Sequence, residues 1–191
     1  VKYAKDNGII ETIINTNATH LNEKIANKII DSGLDIMIYS FDGGTKKTYE
    51  TMRPGRFKEN KFNDVYENIK KFSEIRKIRG SSFPRTQIQM IITKETVNEV
   101  GSFFDLFDKY VDDVTLKNFT DRGSDLEKLN KKEQEKVLKF CYEKKIPFKN
   151  YLRDSNNELH VSTNRLPCEQ PLQRLMITYD GIVSMCCYDW G

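Results

Sequence analysis

The chain has 191 residues, 31% of them charged and 38% hydrophobic, with 31 basic against 28 acidic side chains and a net charge of +3. That length buries one substantial core, so one main domain plus an appendage is expected. So even a charge argues against nucleic acid or an anionic membrane as partner. No run of 18 apolar residues and no secretory leader is present, which leads to the expectation of a soluble, cytoplasmic protein. The sequence starts at Val1 in mid-pattern and stops just after a cysteine pair, and so reads as a fragment of something longer.

Taken in order, the chain alternates strand and helix. Lys2 to Asn7 reads as the tail of a helix stopped by Gly8. Thr12 to Asn15 is a β-branched run expected as a strand, and Leu21 to Ser32 carries Leu21, Ile25, Ile29 and Ile30 at helical spacing up to Gly33. Asp35 to Phe41 holds a nearly continuous apolar run, of the kind that suits a parallel strand buried on both faces. A short helix is expected over Thr45 to Met52. A long one follows over Asn60 to Arg79, with Phe62, Val65, Tyr66, Ile69 and Phe72 on one stripe. Gln87 to Thr93 is the next strand, and Asn98 to Tyr110 the next helix, facing inward with Val100, Phe103, Phe104 and Phe107. Val114 to Asn118 is a fourth strand. Lys131 to Lys144 is a charged helix with Val137, Leu138 and Cys141 on its apolar face. Lys145 to Arg165 is polar and poorly patterned, and reads as a linker.

Repeated β–α units with buried strands imply a parallel sheet joined by crossovers, either an open doubly wound sheet or part of a barrel. No glycine-rich nucleotide fingerprint is present. Either architecture binds ligands beyond the carboxyl ends of its strands. Those ends are Thr16-Asn17-Ala18-Thr19, Ser40-Phe41-Asp42-Gly43-Gly44, Thr93-Lys94 and Asn118-Phe119-Thr120.

The C-terminal run PCEQPLQRLMITYDGIVSMCCYDWG holds three of the four cysteines, Cys168, Cys186 and Cys187. Asp180-Gly181 between two β-prone runs predicts a hairpin with a type I′ turn, because that turn needs positive φ at both central residues. The three thiols read either as small buried hydrophobes or as a thiolate metal site. A disulfide fits an intracellular chain less well.

The spacing of Cys168, twelve residues, Gly181, four residues, Cys186 resembles the opening of the SPASM domain, the accessory region of many radical S-adenosylmethionine (radical SAM) enzymes. INTNATHL resembles the third strand and loop of a radical SAM barrel, and IYSFDGGTKKTYETMRPGRF its fourth strand and following helix. The resemblance covers roughly Lys5 to Thr120 and Leu166 to Gly191. It implies a partial (β/α) barrel over 1–145, followed over 146–191 by a linker and the start of a cysteine-bearing β-hairpin SPASM segment. The implied cofactors are S-adenosylmethionine, a 4Fe-4S cluster and an auxiliary iron–sulfur cluster. Asn17, Ser40, Asp42 and Arg53 are implied as cofactor contacts. Cys168, Cys186 and Cys187 are implied as metal ligands, with Cys141 as core.

These roles make physical sense. Ser40 offers a hydroxyl to a ribose and Asn17 an amide, the glycines after Asp42 let backbone approach a ligand, and Arg53 offers a planar fork to the methionyl carboxylate. The implied activity is generation of a 5′-deoxyadenosyl radical that modifies a peptide or small molecule, with an electron donor such as flavodoxin or ferredoxin. One departure stands out: the Cys-x3-Cys-x2-Cys motif that holds the family's reactive cluster is not in this sequence. By the resemblance it precedes Val1, and the fragment alone is expected to be inactive. The alternative reading is a non-catalytic α/β binding module with a structural zinc or a buried thiol site. The histidines, His20 and His160, carry no assigned chemistry.

Overall fold

The computed structural model describes residues 1–55, 60–118, 130–146, 148–149, 176–177 and 180–184. The chain forms two compact units, Val1–Asn150 and Tyr151–Gly191.

The first unit is built from β–α repeats, some of whose helix starts are marked by side-chain caps. Helix α1 (Lys2–Asp6) leads past Gly8, at φ +85°, toward strand β1 (Ile13–Thr16). Helix α2 (Glu23–Asp31) starts where the Asn22 side chain accepts from Ile25 N at 3.0 Å, satisfying one of the orphan first-turn N–H groups. It is followed by Gly33 at φ +74°, and then by β2 (Ile36–Ser40). Helices α3 (Lys46–Met52) and α4 (Phe62–Ile78) come next, then β3 (Arg85–Ile92). A 3₁₀ turn at Val97–Glu99 runs into α5 (Val100–Phe107), and β4 (Asp113–Asn118) follows. Helix α6 (Lys131–Lys144) opens on a reciprocal capping box between Asn130 and Glu133.

The strands line up in chain order, β1-β2-β3-β4-β5, and every pair is parallel. The expected order of the first four strands is therefore what forms. The fifth, β5 (Phe148–Lys149), pairs with β4 inside the stretch expected to be a linker. Two residues are too few to show a period, which is why the pattern hid it.

The strands are not buried on both faces. In β2, Met37 and Tyr39 are 1% exposed, whereas Ile36, Ile38 and Ser40 are half-buried. β3 alternates likewise, with Thr86, Ile88, Met90 and Ile92 buried and Gln87, Gln89 and Ile91 half-buried. One face thus packs into the helical core, and the other is more open and largely polar. The core centres on Phe41, stacked on Tyr49 at 4.0 Å and set edge-on to Phe107 at 4.8 Å and Phe62 at 5.5 Å. On α6, Val137 and Cys141 are buried as expected, but Leu138 is exposed. Phe140 packs instead, edge-on to Phe104.

Two carboxylates stitch the N-terminal ends of the strands. Asp35 accepts from Lys5 Nζ at 3.0 and 3.1 Å, from Thr12 N at 2.7 Å and from Thr12 Oγ1 at 2.8 Å. The Lys5 and Thr12 hydrogen bonds hold its carboxyl below the usual range. Asp112 accepts from both arms of the Arg76 guanidinium and from Thr86 N and Oγ1.

In the second unit, β6 (Met176–Ile177) pairs antiparallel with β7 (Val183–Ser184). Ile177 stands opposite Val183. Gly181 has φ +86°. The antiparallel pairing expected of a hairpin is present, but its register is not the one that a two-residue type I′ turn at Asp180-Gly181 would set. Cys168, Cys186 and Cys187 lie outside the described residues.

Candidate functional site

The C-terminal ends of β1 to β4 bring together the loops singled out from the sequence. Thr16 pairs with Tyr39, so Asn17 and Ser40 leave neighbouring strands at the same level. Ser40 pairs with Gln89 of β3, and Ile92 with Asn118 of β4. Asn118 thus ends its strand three register steps beyond the Ser40 level.

The loop after β1 is tightly tied. Asn17 is exposed, and its side-chain oxygen accepts from Thr19 N at 3.2 Å. Ala18 is buried at φ +57°, a region that L-residues occupy only when their surroundings hold them there. The Thr16 hydroxyl receives the Ala18 N–H at 3.0 Å, and Asn68 Nδ2 donates to the Ala18 carbonyl at 3.0 Å. Asn60, itself buried, accepts from Thr19 Oγ1 at 2.9 Å and donates to the Arg53 carbonyl at 2.9 Å. The loops after β1 and α3 are thereby joined.

Asp42 follows β2 and is 5% exposed. One carboxylate oxygen accepts the Ile91 N–H at 2.8 Å, and the other accepts Arg53 Nε at 2.6 Å. The side chain clamps β2 to β3 and orients Arg53 in a charge-assisted pair. The glycines beside it serve the interior. A Cβ on Gly43, at φ +134°, would lie 2.7 Å from Tyr49 N, and one on Gly44 would lie 2.7 Å from Glu99 O and 2.8 Å from Phe103 N. They let the strand end approach α3 and α5, a packing reason in place of the ligand approach expected from the sequence.

Glu99 was not singled out from the sequence. Its carboxylate accepts from Gly44 N at 2.7 Å, Thr45 N at 3.1 Å, Thr45 Oγ1 at 2.9 Å and Thr48 Oγ1 at 2.6 Å, closing the first turn of α3 from 51 to 55 residues away.

Gln89 was also missed. Its Nε2 donates to Ser40 Oγ at 3.3 Å on the open face, while its Oε1 is buried without a partner. Beside it, Gln87 Nε2 donates to Thr115 Oγ1 at 2.7 Å. The signal was present as the polar alternation Arg85, Gln87, Gln89, which a strand buried on both faces does not carry. Cys141 is buried and its thiol is pushed up to about 11 by desolvation, so it is protonated at neutral pH and a poor metal ligand. No group of three metal-binding side chains occurs among the described residues.

No family model and no curated protein matches the chain. Solved structures do match. The chain aligns with Streptococcus suis SuiB bound to S-adenosylmethionine at TM-score 0.52 and 16% identity, over 77% of this chain and 32% of that one. It aligns with SuiB bound to the precursor peptide SuiA at TM-score 0.51 and 15% identity, over 73% and 31%. The chain thus spans about a third of the length of SuiB, and at this identity the likeness is one of fold. What it shows is a parallel α/β architecture shared with part of that protein.

Proposed function

We propose that this chain is part of a radical SAM enzyme that modifies a peptide, with S-adenosylmethionine lying across the C-terminal ends of β1 to β4. The observation that carries the reading is Ser40, a half-buried hydroxyl at the end of β2 on the open face of the sheet. It stands beside an amide whose hydrogen-bonding capacity is not filled. Ser40 holds a ribose hydroxyl, with Asn17 beside it at the same level. Asp42 acts through Arg53, which it orients for the methionyl carboxylate. The fold shared with SuiB, solved once with S-adenosylmethionine and once with a precursor peptide, supports both the cofactor and the substrate class.

When bound, the cofactor together with a reduced iron–sulfur cluster supplies hydrogen-atom abstraction. Cys168, Cys186 and Cys187 are proposed to hold an auxiliary cluster, and a flavodoxin or ferredoxin to supply electrons. The residues of this unit bind and orient, and the tied loops after β1 and α3 fix the rim. Titration with S-adenosylmethionine, followed through backbone amide resonances, tests the reading. Shifts are expected to cluster around Asn17, Ser40 and Gly44 and to spare Asp35 and Asp112 at the opposite ends of the strands. Shifts confined to the N-terminal ends, or none at millimolar ligand, would overturn it.

A further inference from the structure

Ser40 and Gln89 face each other across the β2–β3 ladder, and their side chains meet through Gln89 Nε2 at 3.3 Å from Ser40 Oγ. The backbone beside them is pinned, with Phe41 N donating to the Gln89 carbonyl at 3.1 Å. The other end of the Gln89 amide, Oε1, is buried and has no donor among the described residues. Such an orphaned acceptor costs desolvation that nothing internal returns. Turning the amide over would spend the serine proton on Oε1 and bury an unpartnered NH₂ in its place. In the orientation seen, the serine oxygen receives the amide N–H and its own proton is the donor left to give.

We infer that Gln89 is a positioning residue that makes Ser40 a hydrogen-bond donor, so that the rim selects an acceptor oxygen on its ligand at this point. The inference rests on the proposed reading of Ser40 as a contact for S-adenosylmethionine. The acceptor is then a ribose hydroxyl oxygen or a carboxylate oxygen. Cofactor analogues lacking one or the other group tell the two apart.

The test measures S-adenosylmethionine affinity for the wild-type chain, Ser40→Ala, Gln89→Leu, Gln89→Glu and the Ser40→Ala/Gln89→Leu pair, each with its thermal midpoint. Ser40→Ala is expected to weaken binding about fivefold, the scale of one hydrogen bond. Gln89→Leu is expected to weaken it about threefold, and the double variant to bind no worse than Ser40→Ala, because the two losses are one loss. Gln89→Glu supplies a readout that a purely structural role would not move. Its ionised carboxylate takes the serine proton and weakens binding at neutral pH, and affinity recovers as the carboxyl protonates and can donate again. Wild-type affinity in Gln89→Leu, losses that multiply in the double variant, or no pH dependence in a folded Gln89→Glu would each overturn the inference. A wild-type chain that binds no S-adenosylmethionine would instead overturn the functional reading on which it rests.

Discussion

Replacing Asp112 by Asn isolates the clamp at the N-terminal ends of the strands. The Asp112 carboxylate accepts from Arg76 NH1 at 2.6 Å, Arg76 NH2 at 3.0 Å, Thr86 N at 2.6 Å and Thr86 Oγ1 at 2.9 Å. Asparagine keeps one acceptor oxygen, turns the other into a donor facing donors, and leaves the largely buried Arg76 without a counter-charge. Hydrogen bonds to a charged group contribute about 1.5–3 kcal/mol each, and discounting for the partial exposure of this side chain leaves an expected loss of about 2 kcal/mol. That corresponds to roughly 4–8 °C in thermal midpoint. The pH dependence gives the sharper check. Burial alone would raise the Asp112 carboxyl, but the Arg76 and Thr86 hydrogen bonds bring it down to about 2. A depressed carboxylate contributes fully above its unfolded value, about 4, and loses that contribution as pH falls through its folded value. The stability gap between wild type and variant, read by urea denaturation, is therefore expected to be full at pH 7, to narrow below about pH 4 and to close near pH 2. A gap still full at pH 2, or absent at pH 7, would refute this account of the clamp.

Gly44→Ala is expected to cost about 2 kcal/mol in chemical denaturation, since its Cβ would press on Glu99 O and Phe103 N, which are backbone atoms with no room to give. Phe41→Ala removes a side chain with no exposed surface that touches Tyr49, Phe62 and Phe107, and is expected to cost about 3–5 kcal/mol by the same assay. Cys141 is expected to resist thiol-modifying reagents in the native chain and to react at the rate of unfolding, because it is buried and its thiol is raised to about 11. Peptide mapping of the modified chain checks this, and rapid labelling of Cys141 in the native state would contradict it.

The β–α rhythm was legible because several helices carry their own local signals. Asn22 caps α2, Asn130 and Glu133 box α6, and Gly8 and Gly33 adopt the positive φ that follows the first two helices. The two-sided burial inferred for Ile36 to Tyr39 failed for a physical reason. An apolar run states what a strand tolerates, and only the neighbouring strand's polar positions, Gln87 and Gln89, showed that one face stays open. Glu99 was illegible because its partners, Gly44, Thr45 and Thr48, lie more than 50 residues earlier in the chain. No local pattern links a carboxylate to a helix start that far away. The candidate rim was legible as a set of strand ends. Which of its polar side chains were already spent was not.

The carboxylates at both ends of the sheet are spent within the fold. At the N-terminal ends, Asp35 and Asp112 each accept several hydrogen bonds from groups on adjoining elements. A carboxylate so occupied adds to the fold and has little left for a ligand. At the C-terminal ends the polar residues divide. Asp42 and Glu99 are satisfied from within, and their effect is to fix the position of Arg53 and of the first turn of α3. Ser40 and Gln89 are not: one contact of 3.3 Å joins them, with a buried carbonyl oxygen left over. An incomplete pair is costly to keep in a fold unless something else completes it, and it stands where parallel α/β sheets place their ligands. On the proposed reading, the clamps hold the strand ends still so that the unfinished pair presents a defined donor.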